Sequence, residues 1–456
     1  MIEHADIQGL IARGYPDLRA ATCLLLAVDE PVKARAWLAG LADQVTSGAT
    51  RPADVALNVA MTAHGLSRLG LPDDVVAQFS NEFTAGMTTS HRRRSLGDVG
   101  ASAPEAWLWG GPTTPSVDLL LILLARDEAL LAERYTAVSA ALNGVSEVMR
   151  LKTEVDLDGR EHFGFADGIS QPTIDGLSER MDVPSNVIQP GEIILGYANE
   201  YRQYTDRPLL DGAPEGALPV DEAGHGQADL GRNGSYLVFR QLSQDVRAFW
   251  RYVDAATGGD AQRRGWLAAR MVGRWPSGAP LTLAPHADDP ALATANDFMY
   301  HYGDALGLKC PIGAHVRRSH PRDALDPDPG TERSVALDRR HRLLRRGREY
   351  GPPVDDPLAP APPNDPERGL YFICLVANIA RQFEFIQHTW LNNPKFAERY
   401  DEPDPIAGYH PPGSSFSVPA EPVRQRFTDL PQFVTTRGGA YFFLPGLRAL
   451  RYVASL

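Results

Sequence analysis

The sequence predicts an α+β protein whose two halves repeat one architecture, each an antiparallel sheet packed with helices. Its 456 residues exceed the size at which a single hydrophobic core keeps growing, which favours two domains. Strand-like and helix-like segments alternate between Ala20 and Val155, and the alternation restarts at Ser235 after a loop-rich stretch.

Ala20 to Val28 (AATCLLLAV) is an unbroken apolar run of strand length, the pattern of a strand buried on both faces. Pro31 suits the first turn of a helix, and Ala34, Trp37, Leu38, Leu41 and Val45 recur behind it at helical spacing. Asp54 to Met61 reads as a second strand, His64 to Leu71 as a short helix and Val117 to Ala125 as a third strand. Asp127 opens a helix to about Leu142, and Val145 to Val155 is a fourth strand with imperfect alternation. With one extra short helix this is close to two βαβ units, an order that a ferredoxin-like sandwich accommodates.

The second half has strands at Ser235 to Leu242, Gly369 to Ala377 and Ala440 to Leu444, and helices at Gln244 to Val253, after Ala377 through Trp390, and from Gly446 onward. Asp323 to Pro366, rich in Pro, Asp and Arg, is expected to be mostly loop. Thr84 to Pro115 reads as a long surface excursion whose His91-Arg92-Arg93-Arg94 is a solvated basic tetrad. The loop-rich stretch from Pro190 to Gly234 holds the expected junction, dividing the chain into domains 1–200 and 201–456.

A formal net charge of -12 argues against nucleic-acid or anionic-membrane partners, which repel an acidic protein at long range. Cys23, Cys310 and Cys374 are odd in number and far apart, so they read as reduced, buried thiols rather than a disulfide framework or thiolate metal site. The longest apolar run, Leu119 to Ala125, is far short of the about 20 residues that span a bilayer. Early acidic residues Glu3 and Asp6, and no twin-arginine pair before an apolar segment, give a cytoplasmic expectation. No phosphate loop, His-Glu-x-x-His zinc motif or Gly-x-Ser-x-Gly elbow is present, which turns attention to chemistry supplied by a cofactor.

Three stretches hold chemistry. Phe163 to Pro172 (FGFADGISQP) presents Asp167 between glycines, either as a plain Asp-Gly turn or as a carboxylate held for proton work. In Cys310 to Arg322 (CPIGAHVRRSHPR), His315 stands between small apolar residues and three arginines. Such an imidazole binds haem iron while arginines neutralise the propionates, or else is a helical histidine among solvated arginines. His320 is a weaker rival, because Pro321 restricts its backbone to extended conformations. The third stretch, His341 to Pro352 (HRLLRRGREYGP), offers forked guanidinium donors, one of which is suited to stabilising charge on a bound oxygen.

Taken together, these stretches resemble the dye-decolourising peroxidases, a haem peroxidase family. Gly164 to Gly168 matches the family's Gly-x-x-Asp-Gly motif, and the similarity extends through Gln171-Pro172. It continues over nearly the whole chain, including Asp6 to Tyr15, Gly191 to Tyr197, Asn233 to Asp245, Met271 to Pro280, Arg345 to Pro352, Arg368 to Leu375 and Gln382 to Gln387. The resemblance implies two ferredoxin-like domains, with haem b, one per chain, held mainly by the second. It implies His315 as the proximal iron ligand, and Asp167 with Arg345 as catalytic groups on the opposite, distal face. Arg345 is preferred to Arg346 because the family's arginine stands two residues before the glycine that matches Gly347. Arg322 matches a propionate partner, Leu370 and Phe372 match apolar residues over the distal haem face, and Gly164 and Gly168 would let the loop approach the haem plane.

The implied activity is reduction of hydrogen peroxide and oxidation of bulky phenolic or dye-like donors through a ferryl intermediate, by a monomer or homo-oligomer. A haem-handling protein, carrier or deferrochelatase-like, with incidental peroxidase activity, is the alternative; it needs His315 and the arginines but no distal proton shuttle. Bulky donors cannot enter a buried haem pocket, so a surface relay is expected, with Trp250, Trp275, Tyr350 and Trp390 as the aromatic choices. Glu384 or Asn378 is the expected acceptor for the second ring nitrogen of His315.

Overall fold

The computed structural model describes residues 1–456 except 155, 156, 158, 179–181 and 225. The last residue expected in the fourth strand, Val155, lies outside the described residues.

The first half supplies β1 (Ala20–Val28), β2 (Val55–Met61), β3 (Leu119–Ala125) and β4 (Val145–Lys152), in the antiparallel order β2-β3-β1-β4. The second supplies β5 (Ser235–Gln244), β6 (Leu344–Arg345), β7 (Arg348–Tyr350), β8 (Gly369–Val376) and β9 (Val434–Leu444). There β8 lies between β5 and the short pair β6 and β7, and β9 flanks β5 on its other side. Both arrays therefore have the ferredoxin-like strand order, and helices pack on them. They are not separate sheets: β9 meets β2 at the single register pair Phe443↔Met61, making one nine-stranded sheet.

The unbroken apolar runs have a direct cause. In β3, Leu119, Leu121 and Leu123 enter one core while Leu120, Ile122 and Leu124 enter the core on the opposite face. A strand buried on both sides has no polar face to alternate with. The first core also takes Ala34, Leu38 and Leu41 of the helix Pro31–Ala42 and Leu447, Leu450 and Val453 of the C-terminal helix Leu447–Ser455. The last helix of the chain thus packs on the first half. Cys23, Cys310 and Cys374 are free and buried, as expected.

The stretch 323–366 is mostly loop, as expected, though it also contains the helix Glu332–Arg339 and both β6 and β7. One expectation is corrected. The basic tetrad is not wholly solvated: Ser90–Leu96 is a helix in which Arg92 is buried and its Nη1 lies 2.7 Å from both carboxylate oxygens of Glu384. Truncating one partner strands the other charge in the interior. Arg92→Leu is expected to cost about 3–5 kcal/mol, read by urea denaturation.

Candidate active site

The loop bearing Asp167 leaves the first half and is anchored in the second. Phe163 and Phe165 are buried among Val246, Phe249 and Val253 of the helix Val246–Ala256 and Leu267 and Met271 of the helix Ala261–Val272. The rings of Phe163 and Phe249 are 4.7 Å apart, and each buried phenylalanine contributes roughly 1.5–3 kcal/mol. The Glu161 carboxylate accepts from the backbone N–H of Phe163 and Phe165 and from Gln244. Burial pushes its pKa up to about 7 against these hydrogen bonds. Beyond the phenylalanines, Ala166 N–H donates to Pro276, and Gln171 Oε1 accepts from the backbone N–H of Arg345.

These anchors put Asp167 and Arg345 together, with Arg345 Nη1 2.8 Å from Asp167 Oδ1. Burial opposes the charge on Asp167, but the guanidinium outweighs it and holds the carboxyl below the usual range. Arg346 turns the other way and donates to the carbonyls of Leu10 and Ile11, so Arg345 is the inward arginine. Both Asp167 and Arg345 line a cavity of about 310 Å³ that is also lined by His315, Arg322, Leu370 and Phe372. Leu370 and Phe372 lie on β8 opposite Leu242 and Arg240 of β5, and all four side chains belong to the same cavity wall.

Gly164 and Gly168 are not on that wall, although their neighbours are. They adopt φ of 97° and 78°, and a Cβ at either would meet no protein atom within 4 Å. Left-handed backbone, rather than crowding by protein, is what requires glycine there.

His315 opens the short helix His315–Ser319, and its Nδ1 lies 3.0 Å from Asp404 Oδ2. Asp404 is fully buried and also accepts from the N–H groups of Ile406 and Ala407. With Nδ1 engaged, Nε2 is the ring nitrogen left for a ligand bond. Burial opposes protonation of His315, but the Asp404 carboxylate outweighs it and raises the pKa.

The expected second-nitrogen acceptors are corrected. Glu384 binds Arg92 and the Tyr441 hydroxyl, while Asn378 caps the turn at the N–H of Arg381. Asp404, 89 residues from His315, has no local motif to reveal it. His320 is excluded as a rival ligand because both ring nitrogens are occupied, Nδ1 by Ser170 Oγ and Nε2 by Asp338, each at 3.0 Å.

The residues suit a haem. The cavity wall combines apolar Leu242, Phe298, Leu370 and Phe372 with Arg274, Arg322 and Arg342, an excess of donors over acceptors. Arg322 gives three side-chain hydrogen bonds to Asn296 and Phe298, yet its Nε is buried and unpaired, as are Nη1 and Nη2 of Arg342. Burial lowers the pKa of Arg274 and of Arg342 to about 10, so a nearby anion would favour both. Carboxylates of a porphyrin supply that charge and the missing acceptors. Sequence reasoning missed both: Arg342 looks like its neighbours in a basic run until the fold turns it inward, and Arg274 stands alone in Met271 to Pro280 with no local signal of its direction.

Three of the aromatic residues expected to serve a surface relay are buried: Trp275, Tyr350 and Trp390. Trp250 is half-buried against the core of the helix pair. Tyr409, not foreseen, is exposed and also lines the cavity.

No helix among the described residues is long and apolar enough to cross a membrane. No family model matches the chain. Among curated proteins, it is 32% identical over 442 residues to dye-decolorizing peroxidase msp1 of Mycetinis scorodonius, covering 91% of this chain and 79% of that one. It is 33% identical over 466 residues to the multifunctional dye peroxidase DyP2 of an Amycolatopsis species, covering 94% and 91%. A crystal structure of the decolorizing peroxidase of Auricularia auricula-judae superposes with a TM-score of 0.79 at 28% identity, over 100% of both chains. A dye-decolorizing peroxidase in complex with 2,6-dimethoxyphenol gives a TM-score of 0.79 at 27% identity, again over 100% of both chains. With identity above 30% sustained along almost the entire length, and the same fold throughout, the chain belongs to the dye-decolourising peroxidases, an oxidoreductase family.

Proposed function

We propose that this chain is a haem peroxidase that reduces hydrogen peroxide and oxidises phenolic or dye-like donors. The observation that carries the reading is the Asp167–Arg345 pair, 2.8 Å apart in the same cavity as His315 and its unpaired Nε2. A haem carrier has no use for such a pair. His315 would ligate the iron of haem b through Nε2, with Arg322, Arg342 and Arg274 toward the propionates and Leu370 and Phe372 against the ring. When bound, haem supplies the redox chemistry that cleaves the peroxide bond and withdraws electrons from the donor.

The protein's own part is proton handling. Hydrogen peroxide is a weak acid, so Asp167 takes the proton from one oxygen through a carboxylate oxygen and returns it to the other, which leaves as water. Arg345 stabilises the negative charge that grows on the departing oxygen and keeps Asp167 ionised before the transfer. Asp404 holds Nδ1–H of His315 as the donor and sustains the basicity of the opposite nitrogen. Phenols related to 2,6-dimethoxyphenol, the molecule bound by one structural relative, are suitable donors to test. Tyr409, at once on the cavity wall and at the surface, is a contact point for donors too large to enter.

The pH dependence tests the reading. Asp167 accepts a proton only when ionised, and its pKa lies below the usual carboxylate value of about 4, so the base is present in mild acid. Activity is therefore expected to peak on the acid side of neutrality. Arg345→Leu removes the cation that lowers the pKa, so the acid limb of kcat/KM for peroxide should move to higher pH. A dye-oxidation profile that peaks above neutrality, or an acid limb that does not move in the variant, contradicts the assignment.

A further inference from the structure

The side chain of His320 links the loop bearing Asp167 to the helix Glu332–Arg339. Its Nδ1 is 3.0 Å from Ser170 Oγ, three residues after Asp167, and its Nε2 is 3.0 Å from Asp338 Oδ2. Asp338 is buried on that helix, and its Oδ1 accepts from the backbone N–H of Arg322. Burial and the neighbouring Arg342 push the His320 pKa down to about 3, despite Asp338, so the ring is neutral under working conditions. The direction of each hydrogen bond follows. Asp338, an acceptor only, takes Nε2–H; Nδ1 is then a lone pair, which accepts from the Ser170 hydroxyl.

Ser170 and His320 both line the cavity that holds Asp167, and the bridge ties their two segments together there. On the other side of Asp167 the backbone is held by Glu161 and Pro276, and beyond Ser170 by Gln171, so the bridge completes the fixation of a loop without regular structure. We propose that His320 is a positioning residue for Asp167, fastening the loop through Ser170 so that the carboxylate keeps its place beside Arg345. This rests on the reading of Asp167 as the proton acceptor of the proposed peroxidase.

Cyanide is a suitable probe, because hydrogen cyanide must surrender a proton to bind ferric haem as the anion, without turnover. Association is followed by the Soret shift of the haem-loaded protein, with haem content measured alongside. Asp167→Asn should slow it by about 100-fold, the lower range for loss of a proton acceptor. His320→Leu should slow it by about tenfold at unchanged haem content, as a displaced but intact group would. His320→Asn should restore the rate to within about twofold of the parent, because an amide offers an acceptor and a donor in the same order as the neutral ring. Ser170→Ala, which deletes only the hydroxyl and keeps the test open should His320→Leu fail to fold, should match His320→Leu. The double variant should be no slower than either single one, since both remove the same bridge.

Parental rates in His320→Leu and Ser170→Ala, with Asp167→Asn slow, overturn the bridge and leave the peroxidase reading standing. So do an unrestored His320→Asn or multiplying effects in the double variant. An Asp167→Asn protein that binds cyanide at the parental rate overturns both.

Discussion

Replacing Asp167 by Asn is expected to lower kcat/KM for hydrogen peroxide by about 10³-fold, midway in the range for a positioned acid–base group. The amide keeps the size of the side chain but accepts no proton, so the chemistry is lost and the loop is kept. Arg345→Leu should lower the same constant by about 10²–10³-fold, the usual loss when one preorganised donor to a developing negative charge is removed. The two groups act on one proton and one departing oxygen, so the double variant should be little worse than Asp167→Asn alone. Rapid mixing of each haem-loaded variant with peroxide gives the constants. Parental rates in both single variants would remove the support for peroxidase chemistry at this pair and favour a haem-handling role.

The second large effect is expected at Asp404. Asp404→Ala leaves His315 Nδ1 without its acceptor and frees the ring to turn, and should weaken haem retention by about 10–100-fold, as loss of such orienting partners does elsewhere. Transfer of haem to an apoglobin acceptor measures this directly. Asp404→Asn keeps an acceptor but removes the charge, so it should retain haem better than Asp404→Ala while shifting the iron reduction potential upward. Equal haem loss from Asp404→Ala and the parent would show that the carboxylate serves only its own turn, through the N–H groups of Ile406 and Ala407.

How much of the structure is legible in the sequence follows from the range of each interaction. The bounds of β1 coincide with an apolar run because burial on both faces writes itself into consecutive residues. The strands β6 and β7 are hidden because they have two and three residues, too few for a period. Their existence is set by distant partners, with Arg345 opposite Cys374 and Tyr350 opposite Gly369. Asp167 and His315 are legible as motifs, but the functional content of a motif is its partner. The partner of His315 stands in an unremarkable Glu-Pro-Asp-Pro stretch, and that of Ser170 lies 150 residues away. Glu384 misleads for the converse reason: its carboxylate is already engaged by Arg92, in a tetrad whose burial no local pattern announces.

The cavity wall collects residues from Leu96 to Thr436, and the two sheet arrays are joined through the last strand of the chain. The C-terminal helix then closes over the helix that follows β1. Without β9 the motif residues Asp167 and His315 would remain, but the wall would lack Val434 and Thr436 and the two arrays their shared strand pair. Contacts of such wide sequence separation form slowly, because loop-closure entropy opposes them before they are rewarded. Haem retention is therefore expected to depend on a strand that carries none of the motifs that do the chemistry.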